Sequence, residues 1–155
     1  MEATKDVVIG DSRYQISRVD AETGSFLLYQ ILAALRKAIA EGGEEEPAQQ
    51  EQIELSPEEK EKQTSEATGA MIQNVLMSVD RVMFGKIQRD ALSVCKQYTA
   101  IGENETLLPV LMANGKIAIP DLKNDIQALV SLTQHSLHFN LLPFFSNGGF
   151  KAVMI

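Results

Sequence analysis

Cysteine is almost absent from this chain: Cys95 stands alone among 155 residues. An intrachain disulfide is therefore excluded, and cysteine usage gives no sign of oxidative export. Positive charge is also short, with 14 Lys and Arg against 21 Asp and Glu and a net charge of -7. No excess of cations exists to neutralise phosphates, so neither nucleic acid nor an anionic membrane is an expected partner. No apolar run approaches the roughly 20 residues of a membrane span, and Met1 to Asp6 has no apolar signal region, which makes the cytoplasm the expected location. Gly-x-Gly-x-x-Gly, Walker-type, His-Glu-x-x-His, Cys-x-x-Cys and calcium-loop spacings are all missing, as are internal repeats.

What the chain does have is unevenly distributed. Between Glu41 and Glu66 lie ten Glu against Lys60 and Lys62, a balance of -8 that leaves +1 for the rest. The acidity belongs to one segment and not to the fold. Residues 42–55 are Gly, Glu, Gln and Pro with almost nothing to bury, and read as a flexible acidic loop. At this length 1–155 reads as one domain, because Met1 to Ala40 alone could hardly build a core.

Val7-Val8-Ile9 and Tyr14 to Val19 flank Gly10-Asp11-Ser12-Arg13 as a small hairpin. Asp20 then caps a helix whose apolar positions Phe26, Leu27, Ile31, Ala34 and Leu35 recur at helical spacing until Gly42-Gly43. Ser56-Pro57-Glu58-Glu59 is the sharpest local signal, with Ser at the N-cap, Pro at the first helical position and Glu59 placed to reach back. The helix it opens is polar through Glu66 and apolar at Met71, Ile72, Val75, Leu76, Val79, Val82 and Met83. Gly85 is a candidate bend, beyond which Ile87, Ala91, Leu92, Cys95 and Tyr98 continue a helical stripe.

Ala113-Asn114-Gly115 between Leu107 to Met112 and Lys116 to Ile119 predicts a second hairpin, with Pro109 confining its first strand to an edge. Asp121 opens a last helix with Leu122, Ile126, Leu129, Val130, Thr133 and Leu137 on its buried face, and Pro143 limits its length. The expected fold is α+β and mainly helical: a single domain with two small β-hairpins and about four helices.

Chemistry finds little support. His135 and His138 occupy successive turns of one helix, and Cys95 is the nearest third group, but no local spacing supplies further ligands. The acidic pairs lie in polar surroundings that cannot raise a carboxyl pKa, and no serine has nucleophile-elbow glycines. No enzyme, cofactor or metal is expected. Binding is better supported: Met71, Met77, Met83 and Met112 are adaptable side chains, and four of the six phenylalanines lie in the last quarter. Phe139, Phe144 and Phe145 around Pro143 either close the fold as a lid or serve as an exposed anchor.

Asn114-Gly115 with its flanking strands, the helix beginning Asp121-Leu122, and above all His138-Phe139-Asn140-Leu141-Leu142-Pro143-Phe144-Phe145 resemble the tail assembly chaperones of long-tailed bacteriophages. So does the strand Tyr14 to Val19 leading through Ala21 and Gly24 into a helix. The resemblance implies a small, mainly helical, non-enzymatic protein that binds the phage tape measure protein and keeps it soluble in the host cytoplasm, and that is absent from the mature virion. It further implies a longer product made by ribosomal frameshifting, with self-association and contact to the tail tube protein through that form. Gly148-Gly149-Phe150 can be encoded as a slippery heptamer, and this chain would be the short form. The expected partner-binding residues are Met71, Val75, Val79, Met83, Phe139, Leu142, Phe144 and Phe145. The rival reading is a phage structural protein, such as a tail completion or head-tail joining component.

Overall fold

The first strand, β1 (Thr4–Ile9), is polar in its first half and apolar in its second, where the pleat buries Val7 and leaves Val8 70% exposed. β2 (Ser12–Ser17) returns antiparallel to it, from Thr4 opposite Ser17 to Ile9 opposite Ser12. The two-residue turn starts at Gly10 with φ +61°, a backbone angle that a side chain would strain. The chain is described here from a computed structural model over residues 3–40 and 56–146. The expected acidic loop at 42–55, the Gly42-Gly43 helix stop and Gly148-Gly149-Phe150 lie outside them.

Asp20 does cap the first helix, α1 (Ala21–Ala40), its carboxylate accepting the Thr23 amide at 2.7 Å. α2 (Pro57–Ser78) begins with the full capping box: the Glu59 amide donates to Ser56 Oγ, and the Ser56 amide to the Glu59 carboxylate. The bend expected at Gly85 falls earlier. Val79 is extended, and Asp80 accepts the Met83 amide at 2.8 Å to start α3 (Arg81–Leu92). A capping aspartate settles the break, while Gly85 sits inside α3 with open space beside it.

The stripe expected to continue helically through Cys95 and Tyr98 is instead β3 (Cys95–Ile101), paired with β4 (Asn104–Pro109). Gly102, at φ +65°, makes the turn between them. Tyr, Thr and Ile favour a pleated strand, and a stripe at Ala91, Leu92, Cys95 and Tyr98 does not distinguish a helix ending at Leu92 from one running on. The second hairpin therefore lies upstream of Asn114-Gly115, whose own turn carries a lone bridge, Leu111 to Ile117. Pro109 ends β4 at the edge of the sheet.

The four strands form one antiparallel sheet in the order β1-β2-β3-β4, with α1 to α3 inserted between its two hairpins. β2 and β3 join through Tyr14–Gln97, Gln15–Lys96 and Ile16–Cys95. The last helix comes in two pieces: the single turn α4 (Pro120–Lys123) and α5 (Ile126–Ser146), started by Asp125 accepting the Ala128 amide at 3.1 Å. Five helices thus lie among the described residues. This break turns Ile126 outward, 83% exposed, where it had been expected on the buried face.

α5 separates two apolar cores. On one side Ala128, Leu132 and Phe139 pack with Val7, Tyr14, Ile16 and Cys95 of the sheet and Leu122 of α4. On the other, Leu137 and Leu141 pack with Leu27 and Ile31 of α1, Ile72, Val75 and Leu76 of α2, and Ile87 and Ala91 of α3. A helix covered on both sides is apolar around most of its circumference, as α5 is.

Candidate partner-binding surface

Pro143 does not stop α5, which continues through it to Ser146. Proline lacks the amide hydrogen that would bond the carbonyl four residues back, that of Phe139. The Arg18 guanidinium donates to that carbonyl instead and stacks on the Phe139 ring, 3.5 Å from its centroid. Next in sequence, Asn140 Oδ1 accepts the Val19 amide at 2.9 Å, while its Nδ2 donates to the carbonyls of Ser17 and Ser136. On the other side of Phe139, His138 Nε2 lies within hydrogen-bond distance of both the Ser65 carbonyl, at 3.0 Å, and Ser65 Oγ, at 3.1 Å. His138, Phe139 and Asn140 therefore tie α5 to α2 and to the β2–α1 connection. They are the chain's internal fastening.

The surface expectation divides once the residues are placed. Met71 and Phe145 share a cleft of about 370 Å³ between α2 and the end of α5, with Gln63, Thr64, Ala67 and Thr68 completing its wall. Phe144 is half-buried and meets Phe145 edge to face at 5.4 Å between ring centroids. Leu142 is half-buried, and Val79 and Met83 are half-buried against the helical core near the α2–α3 junction. Val75 and Phe139 are inside, on opposite sides of α5, with 1% and 7% exposure.

Apolar side chains outside the expected partner-binding set also reach solvent. Phe26 and Tyr29 on α1 are 54% and 63% exposed, and Met77 and Val82 on either side of the α2–α3 break are 77% and 68% exposed. Phe26 is one of the apolar positions expected at helical spacing, but α1 turns Leu27, Ile31 and Leu32 inward and sets Glu22, Phe26, Tyr29 and Ala33 along an outer stripe. The signal was present: two apolar stripes on one helix exceed what one core needs.

The titratable candidates do not assemble. Burial pushes the Cys95 thiol up to about 12, and its Sγ donates to the Ala91 carbonyl, so it is no thiolate at neutral pH. His135 shares a cleft with Lys5 and His138, and burial, then Lys5, then His138 lower its pKa. Among the described residues no three His, Cys, Asp or Glu could hold a metal ion, and no helix is long and apolar enough to cross a membrane. Exposed apolar side chains lie on the helical side at Phe26, Tyr29, Met77 and Val82, and elsewhere at Val8, Leu108, Met112 and Ile126.

Neither the curated proteins nor the solved structures contain a match to this chain. A family model described as phage tail assembly chaperone protein, TAC, matches residues 10–151. That span takes in both hairpins' turns, every helix, the α2–α5 cleft and the His138-Phe139-Asn140 fastening. The chain belongs to the phage tail assembly chaperone family.

Proposed function

We propose that this tail assembly chaperone binds the tape measure protein of its phage and keeps it soluble until the tail tube closes around it. The observation that supports this reading is the cleft of Met71, Ala67 and Phe145, accompanied by half-buried Phe144 and Leu142 on α5 and by half-buried Val79 and Met83 and exposed Met77 near the α2–α3 junction. A long helical client presents apolar side chains at i, i+3, i+4 and i+7, and flexible methionines beside aromatic anchors accommodate many such segments. Val75 supports that surface from inside, while Phe139 packs in the core on the sheet side. Charged residues on α2 from Glu58 to Glu66 keep the loaded complex apart from its neighbours.

The site of action is the host cytoplasm, and the chaperone leaves before the virion is complete. A longer frameshifted product carries the link to the tail tube protein, and copies of the chaperone self-associate along the client. The test is coexpression with a tape measure fragment. Met71→Glu with Phe144→Ser leaves circular dichroism unchanged while the fragment moves to the insoluble fraction. Continued copurification with the folded variant places the client elsewhere. Mass spectrometry of purified virions then checks that the chain is absent from them.

A further inference from the structure

α1 carries a second apolar stripe, distinct from the residues facing α2 and α5. Phe26 and Tyr29 are its exposed aromatics, and with Glu22, Thr23, Ser25 and Asp90 they line an open groove of about 510 Å³. Both charged side chains in that lining are carboxylates. The neighbouring Arg89 is turned toward the Asn114-Gly115 turn, with its Nε only 3.1 Å from where a Cβ on Gly115 would sit. Burial raises the Asp90 pKa, with Arg89 opposing the shift and Asp20 reinforcing it.

We propose that the groove between α1 and α3 is a docking site for an amphipathic helical segment that presents an apolar face flanked by Lys or Arg. Aromatic side chains supply rigid anchors at low entropic cost, and the carboxylate rim selects cations and rejects acidic segments. The site is separate from the α2–α5 cleft and stands or falls without it. A partner helix would lay two apolar side chains over Phe26 and Tyr29 and bring one cation to Asp90.

The probe is a dye-labelled leucine and lysine helical peptide, compared with the same peptide carrying glutamate in place of lysine. The lysine peptide binds the full chain, shifts the amide resonances of Glu22 to Tyr29 and of Asp90, and weakens with added salt. Phe26→Ser with Tyr29→Ser leaves net charge unchanged and weakens binding at least about tenfold. Asp90→Asn weakens it about threefold and flattens the salt dependence. Equal binding by the glutamate peptide, or by the double serine variant, overturns the proposal. So does a dimer seen by sedimentation that the double serine variant dissolves, because the groove's occupant is then a second copy. Loss of tape measure copurification in Met71→Glu with Phe144→Ser leaves all these readouts unchanged, which keeps the two surfaces distinguishable.

Discussion

The two sides of α5 are built differently. On the sheet side the outer face is bound together by polar side chains around an exposed Val8: Arg13 lies over the Tyr98 ring and pairs with Glu105, and Tyr98 donates to Asp6 at 2.9 Å. The inner face is locked by the fastenings of Arg18 and Asn140 and by Asp121 accepting from Gln97. On the helical side the layer is held mostly by apolar packing, with Met71, Val79, Met83, Phe84 and Phe145 only half-covered and Phe26, Tyr29, Met77 and Val82 left outside. Directional bonds define one arrangement, whereas apolar contacts of adaptable side chains permit several. The sheet is the brace, and the helical layer carries the surface proposed to receive a partner.

The largest effect that sharpens this contrast is in the cores themselves. Leu132 is fully buried on the sheet side, and Leu132→Ala costs about 3 kcal/mol by urea unfolding. Half-buried Met83 on the helical side loses less than about 1.5 kcal/mol in Met83→Ala, because its site is already open to water. Equal losses would erase the distinction between brace and receiving layer. Next comes the fastening. Asn140→Ala strands the Val19 amide and the Ser17 carbonyl and costs about 2 kcal/mol.

A finer prediction concerns Arg18 and Pro143. Arg18→Ala leaves the Phe139 carbonyl without its guanidinium donor and costs about 2 kcal/mol. Pro143→Ala returns an amide hydrogen to the position that normally bonds that carbonyl. In that background the Arg18→Ala loss shrinks by about 1 kcal/mol. A double-mutant cycle measures the coupling, and additive losses would mean that Arg18 acts through contacts other than that carbonyl, its ring contact with Phe139 among them.

These same residues explain what could be read in the chain beforehand. Ser56 and Glu59, Asp20 and Gly10 announce their structures because each acts within three residues or through its own backbone. Pro143 was misread as a limit because its compensation comes from Arg18, far away in sequence and invisible to local rules. Cys95 to Tyr98 was misread because a strand formed by pairing with β2 across three helices leaves no short-range mark. His138-Phe139-Asn140 carried the family likeness correctly, yet its bonds show it fastening the fold. The exposed stripe on α1 was missed because an apolar face looks alike whether it meets a core or a partner.

The pH dependence of the brace is a smaller effect with a fixed sign. Cys95 is pushed from 9.0 to about 12 by burial, so its folded form holds the proton when the unfolded thiol has already lost it. Its contribution to stability is complete below pH 9 and is lost as pH rises from there toward 12. Between pH 8 and pH 10 the loss from this one group is about 1.4 kcal/mol. Comparison of the chain with Cys95→Ala isolates it, since Tyr14 and other groups titrate equally in both. Thiol reagents at pH 8 label Cys95 only as fast as the sheet side opens.

The smallest expected change is the one most specific to the receiving layer. Phe26→Ser with Tyr29→Ser removes aromatic surface that water already covers by more than half, so stability moves by no more than about 0.5 kcal/mol. Urea midpoints of the free chain and of the variant then coincide, although a cationic amphipathic peptide distinguishes them at once. A core residue shows the reverse, with large losses of stability and no selective loss of partner. If the double serine variant instead unfolds early, the α1 stripe is packing against groups of its own chain, and the helical layer would be braced as firmly as the sheet.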